Sequence, residues 1–439
     1  MSETLYEQRP LGDAVERHIG GGTPSRQVPS YWKGEIPWAS VKDFPEQKGV
    51  IQDTEEHISS AGLHASASNL IPAQTPLVCT RMAVGRAALP VIPMAINQDV
   101  KALFPALGVY AEYLLKLIQY IQPLAEGRAV GSTVKGIRIQ DYLNIPVPLA
   151  PQAAQPVIAQ ILDTLDTAIR ETEALIDKLK AVKQGLLHDL LTRGIDAKGQ
   201  LRPPQSEAPQ LYKESPLGWI PREWEVVKLG AVLSELGQGW SPDCPSEPAG
   251  AGEWGVLKTT SVVWEGYNEE ENKQLPVPFK PRPDLEVKSD DILITRAGPK
   301  SRVGVVVHVP STRPQLMISD KIYRLRLLSS EVPAYFALAL SAGYMQSAIS
   351  RTVSGMAESQ TNISQGVIKG LAILRPIREE QHAIVAHARA FDERLRAEAL
   401  CLSKLQAQKN GLMDDLLTGR VRVTPLLESV QQANAATGA

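Results

Sequence analysis

Two stretches of the chain carry apolar residues spaced seven apart. In the first, Ile158, Leu165, Leu179 and Leu186 form one row, with Ile161, Ala168, Leu175 and Val182 as a companion row. In the second, Ile384, Phe391, Leu405 and Leu412 keep the same phase, joined by Ala388, Leu395, Leu402 and Leu416. A stripe of this kind is written by helices that pack along a partner helix. No proline interrupts residues 157–193 or 381–420, and both runs end near glycine, a common helix stop. The pattern predicts two helices of roughly 35–40 residues, about 50–60 Å long. Neither stripe is stable alone, so each helix needs a partner, and the other copy is the obvious one.

The two runs end in nearly the same text, GLLHDLLTRGI at 185–195 and GLMDDLLTGRV at 411–421, displaced by 226 positions. At that displacement Gly185 meets Gly411, Asp189 meets Asp415, Asp166 meets Asp392 and Ile158 meets Ile384; Thr172 and Glu398 put a polar layer in the same place. A long internal period is a statement about architecture. The chain therefore divides into a globular segment (1–150), a central helix (151–194), a linker rich in Pro, Gln and charge (195–212), a second globular segment (213–376), a C-terminal helix (377–421) and a flexible tail (422–439).

The globular segments read as short strands and turns with some helix. Strand-like runs include ILIT (292–295), VGVVVHV (303–309) and YRLRLL (323–328), and helices are expected at 110–122 and 334–351. Faint parallels link the two segments: LVCTR (77–81) with LITR (293–296), INQDVKAL (96–103) with ISDKIYRL (318–325), and GSTVKGIRIQ (131–140) with SGMAESQTNIS (354–364). The fold class expected is α+β: two globular domains joined by two long antiparallel helices forming a coiled coil, with an internal pseudo-two-fold repeat.

Composition narrows the function. A net charge of −2 excludes a uniformly basic nucleic-acid coat, although local basic surfaces remain open. With 5% aromatic residues, a single-strand stacking platform is not expected. Cys79, Cys244 and Cys401 are far apart and form no CxxC, so neither a zinc ribbon nor a disulfide framework is expected. The first 22 residues have no apolar signal core and no run reaches the length of a membrane span, so a soluble cytoplasmic protein is expected.

With the helix ends go two further motifs, ESPLGWIPREWEVVKLG (214–230) and DDILITRAG (290–298). Together, over nearly the whole chain, these resemble the specificity subunit of a type I restriction–modification enzyme. The resemblance implies a non-catalytic DNA-reading subunit whose two target-recognition domains each read one half of a split, asymmetric site in double-stranded DNA. The paired helices would set the gap and dock two modification subunits, which methylate adenine at N6 with S-adenosylmethionine. Restriction subunits would add ATP- and Mg-dependent translocation and cleavage. This chain itself would need no cofactor or metal. One departure stands out: the first half has TPLVCTRMA (75–83), without the acidic lead or the glycine, so a loop role transfers less securely to Arg81 and Arg86 than to Arg296, Lys300 and Arg302.

Candidate DNA contacts are the cations and hydroxyls of glycine-bearing loops, which can donate to phosphates and, for Arg, to guanine. They are Arg81 and Arg86; Ser132, Thr133, Lys135 and Arg138; Arg296, Lys300 and Arg302; and Arg351 and Ser354. Solvated surface turns would look the same. No N-P-P-Y or D-P-P-Y motif, no G-x-x-x-x-G-K-[ST] and no H-E-x-x-H is present. PDLEVK (283–288) holds the parts of a metal-dependent nuclease, but at adjacent positions rather than on converging strands. Gly20, Gly21 and Gly22 read as a loop, and Trp38 and Trp254 as core residues. A helical scaffold that reads no base, an enzyme with an atypical site, and a specificity subunit of a related methyltransferase system without the restriction motor remain as alternatives.

Overall fold

The computed structural model describes residues 6–44, 49–352, 354–357 and 360–423, with 354–357 and 360 described by backbone alone. Both heptad runs are single helices, the central helix Gln155–Thr192 and the C-terminal helix Arg378–Thr418. Pro156 sits in the first turn of the central helix, where a missing N–H leaves no bond unmade. Glu379 and Glu380 open the C-terminal helix, where carboxylates favour the dipole. Both helices stop at a glycine in the left-handed region, Gly194 (φ 66°) and Gly419 (φ 80°). Of the expected tail, only Arg422 and Val423 fall among the described residues, and Val423 is buried.

The chain forms two compact units, residues 1–176 with 397–439, and residues 177–396. Each holds one globular part and a portion of both long helices. In the first unit Ile158 and Leu162 share a core with Met413, Leu416 and Leu417, and Asp166 Oδ1 pairs with Lys409 Nζ at 2.5 Å. Rising numbers on one helix meet falling numbers on the other, so the helices run antiparallel. In the second unit Lys183 pairs with Asp392, and the Ile195 amide donates to Glu380 Oε1 at 2.8 Å, again antiparallel. Asp392 and Lys409 are the 226-displaced images of Asp166 and Lys183. The two ion pairs are therefore one pair written twice.

Of the expected packing residues, Ile158, Leu179 and Ile384 are buried, while Leu165, Leu175, Leu186, Phe391, Leu395, Leu402, Leu405 and Leu412 are half-buried. The companion row on the central helix is one position further along than expected. Leu162, Ile169, Ile176 and Leu190 are buried, whereas Val182 is 46% exposed. Spacings of three and four both satisfy a heptad. The inner row passes through Lys183, and that lysine is accommodated because Asp392 meets it.

The two globular parts share a plan. In the first, a sheet runs in the order Val15–Gly20, Val100–Pro105, Leu77–Cys79, Ala87–Pro90, Val50–Ile51; in the second, Leu233–Gln238, Ile322–Leu327, Ile292–Thr295, Val306–His308. A smaller sheet holds a parallel pair in each, with Trp38 opposite Ala95 and Val256 opposite Met317. The globular parts begin and end on adjacent antiparallel strands, with Gln8 opposite Pro148 and Glu225 opposite Arg375. The run expected at 110–122 is Ala111–Tyr120 followed by Gln122–Arg128. That at 334–351 is two helices, Pro333–Ser341 and Gly343–Thr352. VGVVVHV is a strand only at Val306–His308, because Gly304 takes φ 89° and breaks the run.

Residues 195–212, expected as a linker, are pinned. Arg202 pairs with Glu380, whose other oxygen accepts from Trp224 Nε1 at 2.9 Å. Trp38 is 3% exposed and gives its indole N–H to Gly22 O at 3.0 Å. In PDLEVK, the Glu286 carboxylate accepts the Gln315 amide at 2.7 Å, and the Asp284 carbonyl accepts from Arg324. These are bonds that hold a turn. Cys79 is buried, Cys244 half-buried and Cys401 exposed, all as free thiols.

Glu331 is buried at the base of the second globular part. Its Oε1 accepts from Arg375 Nη2 at 2.7 Å and Ser330 Oγ at 2.9 Å, and its Oε2 from Gln381 Nε2 at 3.0 Å. Burial pushes this carboxyl upward, but the donors outweigh it and hold it below the usual carboxylate range. A carboxyl depressed on folding stabilises above its unfolded value and loses that contribution as pH falls through the folded one. Glu331→Gln is expected to cost about 1–3 kcal/mol at pH 7. Below about pH 4 the variant and parent should converge, as read by urea unfolding across pH; a pH-independent difference would sink the assignment.

Candidate nucleic-acid interface

In each globular part the candidate loops meet at the end of one central strand. In the first, that strand is Leu77–Cys79. Beyond it Arg81 bridges to Gly136, Met82 N donates to Lys135 O at 2.9 Å, and Ile137 N donates to Thr80 O at 2.9 Å. Val130 and Gly136 close a small loop with two mutual bonds of 2.9 Å. Ser132, Thr133 and Lys135 stand on it exposed, and Arg138 is exposed just after it. So RMAVGR and GSTVKGIR, 45 positions apart, form one surface.

In the second, strand Ile292–Thr295 continues into Ala297–Gly298, which pairs with Gln360–Asn362, which in turn pairs with Ser354–Ala357. Ile363 N donates to Arg296 O at 2.9 Å. RAGPKSR therefore lies beside the SGM…TNIS hairpin, as its counterpart does in the first half. The side chain of Ser354 lies outside the described residues. Arg351 is exposed, with its Nε on Ser347 O of its own helix at 3.2 Å.

Register changes which arginines correspond. Cys79 N and O bond Arg86 O and Gly85 N; Thr295 N and O bond Val305 O and Gly304 N. Cys79 thus matches Thr295, so Arg81 matches Ala297 and Arg296 matches Thr80. The Thr-Arg dipeptides are one residue out of step, and a one-residue slip turns a side chain to the opposite face. The side chain of Arg81 is 54% exposed and 3.3 Å from Asp99 Oδ1. Arg296 is half-buried: its guanidinium lies 5.2 Å over the Tyr323 ring, and Nη1 donates to Asp320 O at 3.2 Å. Between these anchor points the second loop is three residues longer, and the added length carries Lys300 and Arg302.

These cations differ in freedom. Lys300 is exposed. Arg302 gives Nη2 to Thr259 O at 2.9 Å, and the half-buried Arg86 gives Nη1 to Phe44 O at 3.3 Å. The acidic lead of the second half is structural: Asp291 is 1% exposed and accepts from Arg326 Nε at 2.7 Å and Lys288 N at 2.8 Å. That Asp291 hydrogen bond is the main cause of the raised Arg326 pKa.

The glycine run GGG contributes a feature that its composition does not reveal. A Cβ on Gly21 would lie 1.8 Å from Ile96 O, and one on Gly239 would lie 2.0 Å from Ile318 O. Both positions need glycine because two backbones touch there. Just beyond, Thr23 Oγ1 donates to Gln98 Oε1 at 2.6 Å, and Ser241 donates to Asp320 Oδ1. Thr23 and Ser241 were not among the expected site residues. The signal that marks them is the aligned pair GGGT and GQGWS, 75 positions ahead of the Ile-Asn-Gln turn in the first half and 79 ahead of the Ile-Ser-Asp turn in the second. Among the described residues no cluster of three or more His, Cys, Asp or Glu is placed to hold a metal, and no helix is long and apolar enough to cross a membrane.

Residues 4–181 match the family model described as the type I restriction modification DNA specificity domain. The matched residues make up less than half of the chain and hold the first globular part and most of the central helix. It is 41% identical over 241 residues to the EcoEI type I specificity subunit of Escherichia coli, a match covering 50% of this chain and 40% of that relative. The fold is similar to the type I restriction–modification S subunit from M. genitalium (TM-score 0.57, 15% identity, 95% and 97% of the two chains). It is also similar to a chain from work on complex assembly and conformational transition of the type I system (TM-score 0.59, 17% identity, 96% and 100%). At identities of 15% and 17% the likeness is one of fold.

Lys300→Ala is expected to lower the salt slope of duplex binding by about 0.9, the share of one phosphate contact, with thermal stability unchanged. Arg302→Ala should lower stability as well, because it frees the Thr259 carbonyl. Equal slopes for Lys300→Ala and the parent would remove Lys300 from the interface.

Proposed function

We propose that this chain is the non-catalytic DNA-reading subunit of a type I system acting in the cytoplasm. Each globular part reads one half of a split site in duplex DNA. The helix pair sets the spacing and docks two adenine-N6 methyltransferase subunits, which bring S-adenosylmethionine; restriction subunits bring ATP and Mg. The observation that carries the reading is that each globular part gathers two sequence-distant loops rich in Arg, Lys, Ser and Thr at the end of one buried strand. Rigid strands hold base- and phosphate-contacting side chains more firmly than a free loop does.

The repeat supports the docking. A partner that binds the same helical surface twice requires equivalent helices, and the repeated Asp–Lys pair shows that equivalence at the level of side chains. The globular parts are under no such demand and differ in loop length and charge, as readers of unlike half-sites must.

Co-expression with the methyltransferase from the same operon, followed by genome-wide mapping of N6-methyladenine, tests the reading. A split motif with a fixed gap, present only with this chain, is the expected result. Deleting one heptad from either helix should change or abolish that gap. Methylation at the same sites without this chain, or none although the complex forms, would favour a scaffold.

A further inference from the structure

The two globular parts diverge most where residues 59–69 of the first correspond to 276–285 of the second. The correspondence is set by register: His57 and Gln274 occupy equal places on the smaller sheet, as do Leu70 and Glu286. The first part fills this interval with the short helix Ser60–His64 and has no Lys or Arg there. The second fills it with PVPFKPRPDL, four prolines bracketing Lys280 and Arg282.

This loop is braced at both ends. Leu275 N donates to Trp254 O at 2.8 Å, Phe279 N to Pro276 O at 3.0 Å, and Leu285 N to Arg282 O at 3.0 Å, with Leu285 buried. Phe279 packs edge-on against Trp240 at 5.6 Å, and the Arg282 guanidinium lies 4.2 Å over the same indole. Lys280 and Arg282 are exposed, and no carboxylate pairs with either among the described residues. By contrast, the stacked arginine of the first part, Arg26 over Trp32, is tied to both oxygens of Glu56. The nearest carboxylates along the chain are Asp284, which is exposed, and Glu286, whose Oε1 accepts the Gln315 amide at 2.7 Å.

The stack adjoins the candidate interface. Trp240 precedes Ser241, whose hydroxyl bonds the Asp320 carboxylate; Asp320 O in turn accepts from Arg296 Nη1 at 3.2 Å. A guanidinium held over an indole is kept in place while its N–H groups remain able to donate to phosphate oxygens. Proline bracing lowers the ordering entropy that such a contact would cost.

We propose that residues 276–285 form a phosphate-contacting arm peculiar to the second recognition domain, with Lys280 and Arg282 engaging the DNA backbone beside the Arg296–Arg302 loop. The inference rests on the DNA-reading function proposed above. Contacts of this kind position the duplex without reading its sequence.

The test uses the full chain in complex with its methyltransferase and a duplex carrying its methylated motif, with affinity measured by fluorescence anisotropy across salt. Lys280→Ala/Arg282→Ala should flatten the slope of log affinity against log salt by about 1.8, at about 0.9 per contact. Arg282→Lys, alone, should keep the parental slope. The methylated motif should be the same in all variants. A parental complex that binds no duplex would overturn the DNA-reading function itself and the arm with it. Duplex binding with equal slopes in parent and double variant would overturn the arm alone. So would loss of methyltransferase association, which would make the arm a protein contact, or a changed motif, which would make it a base reader.

Discussion

A single charged contact, written twice, holds the helix pair in register. Apolar seams tolerate a slip of one heptad, because leucine meets leucine in either setting. An aspartate that must find a lysine does not. Asp166 meets Lys409 in one unit and Lys183 meets Asp392 in the other, and a shift of one heptad would set Asp166 against Leu402 or Leu416 and Asp392 against Ile176 or Leu190. Partly exposed pairs of this kind contribute at most about 1 kcal/mol each to stability; their weight lies in what they forbid. In the first unit Asp166 is held further by Lys116, which is 1% exposed and 2.6 Å away.

The globular parts show what repetition leaves free. Four strands keep their order, and a glycine is required at the same backbone crossing in both. These are packing constraints, and they are the same in both parts. The outer elements obey no such rule. One loop is three residues longer in the second part, and a short helix in the first is replaced there by a proline-rich loop. The cations that differ between the halves lie on those outer elements.

The long helices, their ends and the tandem plan were legible because periodicity and repetition are one-dimensional signals. The row through Leu162 and Ile169 was not, since the neighbouring row is equally apolar until Val182 and Lys183 divide them. The loops were found as segments, but the match of Arg81 with Arg296 failed by one residue. A repeated Thr-Arg dipeptide carries no register; hydrogen bonds from Cys79 and Thr295 do. Arg302 and Arg86 looked as free as Lys300 because sequence does not show a carbonyl waiting across a turn. The buried place of Asp291 was hidden for the same reason: an acidic residue ahead of a strand reads as surface until Arg326 is seen beside it.

Each globular part leaves the helical frame and returns to it on neighbouring strands, Gln8 beside Pro148 and Glu225 beside Arg375. The chain ends of each part are therefore one strand spacing apart, about 4.8 Å. Whatever lies between them can grow, shrink or be exchanged while its points of attachment stay put, and loop closure adds only about 0.6 kcal/mol for each doubling of length. In evolutionary terms the frame is a socket: new segments can be tried one at a time, with the other globular part left in place.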